Sequence, residues 1–146
     1  VTDIDVKLKI KEKFVSIYDN ELCTQCVLYP NVKHVIDELL SKGISLSLVT
    51  NKRYAPTVKI LENFNLQENF TQIIGADQAA FGANKLERLK FIHQAHCKNF
   101  YIGDTVKDYE ASTNANYIFL FASWGYESFT VEHTLGNMKE IELFLT

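Results

Sequence analysis

The chain has 146 residues, of which 47% are hydrophobic and 23% are charged, and this composition indicates one globular domain, not a disordered chain. The net charge of −3 provides no basic surface for nucleic acid or for an anionic membrane. No apolar run approaches the roughly 20 residues of a membrane span. We therefore expect a cytoplasmic protein that binds neither nucleic acid nor membrane.

The apolar pattern predicts helices and strands in alternation. The expected helices cover approximately 7–21, 30–42, 56–64, 85–95, 108–112 and 137–145. The expected strands cover 44–49, 71–74, 99–103 and 117–121. Strands joined by helices of this length imply a parallel sheet with right-handed crossovers, and their nearly continuous apolar character favours helices on both faces. The predicted fold class is α/β.

Polar residues follow the strands at one edge of this sheet. Thr50 and Asn51 follow the first strand, Asp77 lies just beyond the second, and Asp104 follows the third. Lys85, at the start of a helix, can reach the same edge. Open α/β sheets bind ligands at this edge, and these groups suit a phosphate held against a metal ion.

The segment from Tyr101 to Asp108 contains the most specific of these patterns. An apolar strand ends in Gly103-Asp104-Thr105, and Asp108 follows one helical turn later. The two carboxylates can therefore face one site, and paired oxygen ligands suit Mg²⁺. Asp104 and Asp108 are the candidate metal ligands.

Each of these residues also has a purely structural interpretation. Thr50 and Asn51 are good N-caps for the helix that follows them, and a lysine such as Lys85 at a helix start is usually solvated. Asp104 and Asp108 could cap a helix and favour its dipole. The functional interpretation depends on the order and spacing of the whole set.

The three cysteines fit a reduced protein better than a disulfide framework. The spacing of Cys23 and Cys26 allows a redox or zinc interpretation, but the chain has no second Cys-x-x-Cys pair, which a structural zinc site normally needs. We expect buried or partly buried thiols instead.

Taken together, these motifs resemble the haloacid dehalogenase-like (HAD) hydrolase superfamily, most closely its phosphoglycolate phosphatase-like branch. The resemblance runs from about Lys11 to Tyr126. It is carried by Tyr29–Val32, Ser47–Lys52, Lys85 with its helix, Gly103–Asp108 and Trp124–Tyr126. It implies a three-layer α/β/α, Rossmann-like core with a mostly parallel sheet.

The resemblance implies a magnesium-dependent phosphatase that hydrolyses a small phosphorylated metabolite through an aspartyl-phosphate. Thr50, with Asn51, would bind the transferring phosphoryl group, and Lys85 would neutralise its charge. Thr50 and Lys85 are thus the expected catalytic residues, and Thr50, Asn51 and Lys85 the phosphate-binding residues. Asp104 and Asp108 would hold Mg²⁺.

The chain departs from this family at its first motif, an apolar strand followed by Asp-x-Asp-Gly-Thr, whose first Asp is the nucleophile. Asp3-Ile4-Asp5 is followed by Val6 instead of Gly-Thr, and no apolar strand precedes it. The stretch after Lys11 is similar to the last helix of the family's cap domain, so Asp3 and Asp5 are interpreted as cap residues. We expect residues 1–28 to be a cap remnant and 29–146 the core. A missing segment or a second chain would then supply the central strand and its nucleophile, or the fold would close differently without that strand.

Other protein classes share parts of the pattern. A receiver-type signalling domain also places Asp, Thr and Lys at strand ends, but in another chain order. A dehalogenase of the same superfamily needs no metal, which disagrees with the pair Asp104 and Asp108. The strongest alternative is a non-catalytic HAD-like fragment or pseudo-enzyme with a binding or structural role.

Overall fold

The computed structural model describes residues 3–145, which form five α-helices and five strands. In chain order these are α1 (Asp3–Ile17), α2 (Val32–Ser41), β1 (Ser47–Val49), α3 (Tyr54–Asn63), β2 (Gln72–Ile74), α4 (Lys85–Ile92), β3 (Phe100–Gly103), α5 (Val106–Asn114), β4 (Ile118–Ala122) and β5 (Thr134–Leu135). A π-helical turn, Tyr18–Leu22, continues α1. Short 3₁₀ segments occupy Gln67–Asn69, Ala79–Phe81 and Met138–Phe144.

All strand pairs are parallel, as the sequence predicts. β1 pairs with β2 in the register Ser47 to Gln72. β4 lies between β3 and β5, with Phe100 opposite Ile118 and Phe121 opposite Thr134. Helical crossovers connect β1 to β2 and β3 to β4, which is the connection that parallel strands require.

Helices cover both faces of the sheet, because neighbouring residues of β4 point to opposite sides. Leu120 is fully buried in a cluster with Val35 and Leu39 of α2. Phe119, one position earlier, packs against the ring of Tyr109 on α5. A second cluster joins α2 to α3 through Ile36, Leu61 and Leu66. The architecture is therefore three-layered, α/β/α.

The described strands form two separate sheets, β1-β2 and β3-β4-β5. Within residues 3–145, β1 and β3 share no backbone ladder, although their other edges are paired. A side chain spans the gap, because the Tyr101 hydroxyl donates a hydrogen bond to the carbonyl oxygen of Val49 at 3.4 Å. The edges of β1 and β3 that face this gap are therefore open to a further strand.

The end of α1 is attached to the loop after β1 by charged and polar contacts. The Arg53 guanidinium binds both carboxylate oxygens of Asp19, at 2.6 and 2.7 Å. The Lys52 ammonium donates to the Tyr18 hydroxyl and lies over its ring. Apolar side chains along α1 are exposed, with Phe14 at 62%. The division into residues 1–28 and 29–146 stays a prediction.

Several predicted boundaries were wrong. The strand expected over 44–49 is shortened to Ser47–Val49. The helix expected over 137–145 is present as a 3₁₀ helix, Met138–Phe144. The fifth helix, expected over about 108–112, covers Val106–Asn114. Gly43 ends α2 as predicted, with a φ of 75° that suits glycine.

Candidate functional site

Asp104 and Asp108 lie where β3 passes into α5. Gly103 ends the strand, and Thr105 is the N-cap of α5, its hydroxyl accepting a hydrogen bond from the Asp108 amide at 3.1 Å. This cap fixes the first turn of the helix. The Asp108 carboxylate consequently turns back to the strand end, where its Oδ2 accepts the Asp104 amide at 3.3 Å.

Lys85, the first residue of α4, forms an ion pair with Asp108. The Lys85 ammonium donates to Asp108 Oδ1, and both side chains are largely buried. Burial raises the pKa of Asp108, but the hydrogen bond and positive charge of Lys85 outweigh it, with help from Thr105 and the Asp104 amide. The resulting pKa lies below its usual value, so Asp108 is ionised at neutral pH.

Asp104 is held by the segment Gly125–Glu127. Its Oδ2 accepts the amide of Tyr126 at 2.9 Å, and its carbonyl accepts the amide of Glu127 at 3.3 Å. The Glu127 carboxylate in turn accepts the amide of Val106 at 2.8 Å. Among the described residues, Asp104 Oδ1 accepts no hydrogen bond, so this oxygen remains available to a ligand.

Two glycines leave room for the two carboxylates. A Cβ on Gly125 would lie 2.2 Å from the Cβ of Asp104, and one on Gly103 would lie 2.7 Å from the Cβ of Asp108. Real Cβ atoms do not approach other atoms this closely, so larger residues at these positions would displace the carboxylates.

Thr50 and Asn51 follow β1, as predicted. The Thr50 amide donates to the carbonyl of Ile74 on β2, and its hydroxyl accepts the amide of Lys52 at 3.1 Å. Asn51 is exposed. No direct hydrogen bond joins Thr50 or Asn51 to Lys85 or Asp104 among residues 3–145. The carboxylates and Lys85 thus form one contacting group, and Thr50 and Asn51 a second.

Two other predicted features have different surroundings from those expected. Asp77 accepts the amide of Tyr54 at 2.8 Å, and this contact stabilises the first turn of α3 instead of joining the carboxylates. Cys23 is buried as expected, but Cys26 is exposed. Cys26 and Asp104 both line a cavity of about 700 Å³.

The donor chemistry at Asp104 and Asp108 fits Mg²⁺, which binds proteins through one or two carboxylates and completes its shell with water and phosphate oxygens. The described residues contain no group of three or more His, Cys, Asp or Glu side chains arranged around one metal position. A metal here would therefore need ligands beyond these two carboxylates.

Sequence reasoning missed the contribution of the backbone after β4. The Tyr126 amide donates to Asp104 through the backbone, which any residue could do. The position of Gly125 requires glycine because a Cβ there would collide with Asp104, and this contact is not visible in the sequence. The only signal was the Trp124-Gly125-Tyr126 triplet, which the resemblance identified as familial without giving it a role.

The sequence was compared with protein families and with curated proteins. Residues 2–122 match the family model of haloacid dehalogenase-like hydrolases. The phosphoglycolate phosphatase of Aquifex aeolicus is 31% identical over 131 residues, 83% of this chain and 61% of that protein. The one from Psychrobacter arcticus is 30% identical over 80% of this chain and 52% of its own length. The chain thus spans between half and two thirds of these relatives.

Solved structures confirm the fold. A haloacid dehalogenase-like family hydrolase from Streptococcus pneumoniae superposes with a TM-score of 0.81 at 17% identity, over 100% of this chain and 72% of that one. A structure described as a predicted phosphoglycolate phosphatase, from Haemophilus somnus, gives 0.77 at 20% identity, over 100% of this chain and 69% of its own. No helix in the described part is long and apolar enough to cross a membrane. The chain belongs to the haloacid dehalogenase-like hydrolase family, as its motifs predict, and is similar to that family's phosphoglycolate phosphatases.

Proposed function

We propose that this chain is the phosphate- and metal-binding part of a magnesium-dependent phosphomonoester hydrolase that works through an aspartyl-phosphate. The observation that carries the proposal is the contact of Lys85 with Asp108 beside the open Oδ1 of Asp104. A cation and a carboxylate with a free oxygen, at the carboxyl end of a parallel strand, provide what phosphoryl transfer requires: positioning and charge neutralisation.

Each residue has a distinct role in this proposal. Asp104 and Asp108 would hold Mg²⁺, which when bound would supply positive charge near the phosphoryl oxygens. The ammonium of Lys85, paired with the ionised Asp108, adds a second positive charge. Thr50 and Asn51 would orient the phosphoryl group through hydrogen bonds from the adjacent strand end.

The nucleophile would come from a strand that enters the gap between β1 and β3. A carboxylate oxygen of the motif's first Asp would attack phosphorus as the bond to the alcohol oxygen breaks. The motif's second Asp, as general acid, would give its proton to the departing alkoxide and regain one from the water that attacks in the second step. Water then hydrolyses the acyl phosphate, releases inorganic phosphate and restores the carboxylate. A missing segment of the same protein or a second chain would supply this strand. The edges of β1 and β3 that face the gap share no backbone ladder among the described residues, and such open edges can pair with a further strand.

Asp3 and Asp5 support a second candidate function, that of a non-catalytic binding domain. Both residues lie in α1, a helix, and not at the end of a strand. If no strand is supplied from elsewhere, the chain would bind phosphate and metal without hydrolysis.

The substrate of the proposed enzyme is a small phosphomonoester. Phosphoglycolate is the first to test, because the curated relatives are named for it.

Complementation by a strand separates the two functions. The chain is refolded with a synthetic peptide that contains an apolar strand followed by the family's Asp-x-Asp-Gly-Thr motif, and phosphate release from p-nitrophenyl phosphate and phosphoglycolate is measured with Mg²⁺. We expect turnover only in the mixture, and its loss when the first Asp of the peptide is Asn. A peptide that binds, by fluorescence anisotropy, without turnover would favour the non-catalytic domain.

A further inference from the structure

Arg88 is a buried cation that has no direct role in the proposed chemistry. Its side chain on α4 is only 3% exposed, and no carboxylate among the described residues forms an ion pair with it. Its Nη1 is buried without a hydrogen-bond partner. Burying a charge without an opposite charge is costly, so the contacts that the guanidinium does make require an explanation.

The guanidinium binds three backbone carbonyls. Its Nε donates to Gly82 at 3.3 Å, and its Nη2 donates to Ala76 at 3.3 Å and to Ala83 at 3.5 Å. Arg88 therefore connects both ends of the loop between β2 and α4. The planar guanidinium holds its donors on three nitrogens in a fixed fork, whereas a lysine has all its donors on one nitrogen.

The contacts to Gly82 and Ala83 lie directly before Lys85. Asn84 caps α4 by accepting the amide of Glu87 at 2.9 Å, and the Glu87 carboxylate accepts the amide of Ala83 at 2.7 Å. Arg88 adds a third restraint to the same turn. The start of α4, from which the Lys85 ammonium reaches Asp108, is thus held from several sides.

The contact to Ala76 connects Arg88 to the loop after β1, which contains Thr50. The Ala76 amide donates to the carbonyl of Lys52 at 2.9 Å, and the Lys52 amide donates to the Thr50 hydroxyl at 3.1 Å. A continuous series of hydrogen bonds therefore runs from Thr50 to Arg88, which lies three residues after Lys85 on α4.

We propose that Arg88 is a positioning residue that fixes Lys85 relative to the Thr50 loop, so that both reach one phosphoryl group. This role rests on the proposed function, since it assumes that Thr50 and Lys85 act on the same ligand. Arg88 touches no ligand, because its guanidinium is enclosed by the loop. It acts through Lys85.

The substitution Arg88→Lys tests the positional role, because it keeps the charge but loses the fork. The first readout needs no ligand: the Lys85 ammonium lies 5.8 Å from the centroid of the Tyr101 ring, so an NMR NOE should join the Lys85 ε-methylene to that ring. We expect this NOE to be lost in Arg88→Lys. The matched control is Lys90→Arg, an exposed substitution on the same helix, in which the NOE should persist.

The second readout is the affinity for inorganic phosphate in a double-mutant cycle with Lys85→Met. We expect Arg88→Lys to weaken binding by about tenfold in the wild-type background and to have almost no effect in the Lys85→Met background. A residue that only stabilised the fold would lower the melting temperature equally in both backgrounds and leave the NOE intact.

An intact NOE in folded Arg88→Lys, or equal loss of affinity in both backgrounds, would overturn the proposal. If Arg88→Lys does not fold, Gly82→Ala disturbs the same loop, because its Cβ would lie 2.6 Å from the Cβ of Glu87 at a φ of 133°. A retained NOE there would also contradict the proposal. If the wild type binds no phosphate and Arg88→Lys still loses the NOE, the proposed function is refuted, while the result still shows that Arg88 positions Lys85.

Discussion

The Tyr101 hydroxyl donates to the Val49 carbonyl across the gap between β3 and β1, at 3.4 Å. Burial is the main cause that raises the pKa of Tyr101, and the negative charges of Asp108 and Asp104 add to it, so the hydroxyl remains protonated and able to donate. Among the described residues no backbone ladder joins β3 to β1. The Tyr101 side chain instead connects the two strands through this hydrogen bond.

Removing the Tyr101 hydroxyl should therefore loosen the junction of the two sheets. We expect Tyr101→Phe to lower the free energy of unfolding by about 1 kcal/mol, the usual net value of one hydrogen bond. Urea denaturation measures this. The control Tyr126→Phe removes a hydroxyl from a residue that is 94% exposed, and an equal loss in the control would show that the bond across the gap contributes nothing.

The ion pair of Lys85 and Asp108 should make stability depend on pH. The folded-state pKa of Asp108 is lowered, so its contribution is present above the ordinary carboxyl value of about 3.9 and is lost as the pH falls through the folded-state pKa. At pH 7, Lys85→Met leaves a buried carboxylate unpaired and should cost about 3–5 kcal/mol.

This cost should shrink in acid, because a protonated Asp108 no longer needs a cation. Urea denaturation of wild type and Lys85→Met at pH 7 and pH 3 measures the difference. Lys107→Met, which removes an exposed lysine of the same segment, should have little effect at either pH. A cost for Lys85→Met that does not change with pH would exclude the ion pair as its cause.

Gly125 should be essential for the position of Asp104. In Gly125→Ala the new Cβ would lie 2.2 Å from the Cβ of Asp104, so the carboxylate must move and the Tyr126 amide must lose its acceptor. We expect the variant to fold and to lose the stabilisation by Mg²⁺ in a thermal melt. Gly136→Ala is the control, since its nearest neighbour is the flexible carboxylate of Glu140 at 3.1 Å. An unchanged Mg²⁺ response in Gly125→Ala would refute this dependence.

The isolated chain should show no phosphatase turnover, because Asp3 and Asp5 lie in α1 and not at a strand end. Hydrolysis of p-nitrophenyl phosphate with Mg²⁺, by wild type and by Asp3→Asn, tests this. We expect background rates from both. Robust turnover that Asp3→Asn abolishes would identify Asp3 as the nucleophile and contradict its interpretation as a cap residue.

Much of the fold could be predicted because its signals are local. The apolar stripe of Val35, Ile36 and Leu39 marked α2, and the strand ends at Thr50 and Asp104 followed from apolar runs that stop at polar residues. The helices between the strands implied crossovers and a parallel sheet, which brought these ends to one edge.

The remainder depends on contacts that are distant in sequence. β5 is only two residues long and is defined by its pairing with β4, which no local periodicity encodes. In the sequence, Arg88 looks like an ordinary charged residue of a helix. Its role follows only from the carbonyls that it binds in the structure. The role of Gly125 follows from its distance to Asp104, 21 residues earlier in the chain.

The central claim is that Asp104 and Asp108 hold Mg²⁺ in this part of the site, and a thermal melt with and without Mg²⁺ tests it most directly. Ligands that bind only the folded state raise the melting temperature. We predict a rise for wild type and for the control Asp37→Asn, an exposed carboxylate on α2, and no rise for Asp104→Asn. The same rise in Asp104→Asn as in wild type would contradict the assignment.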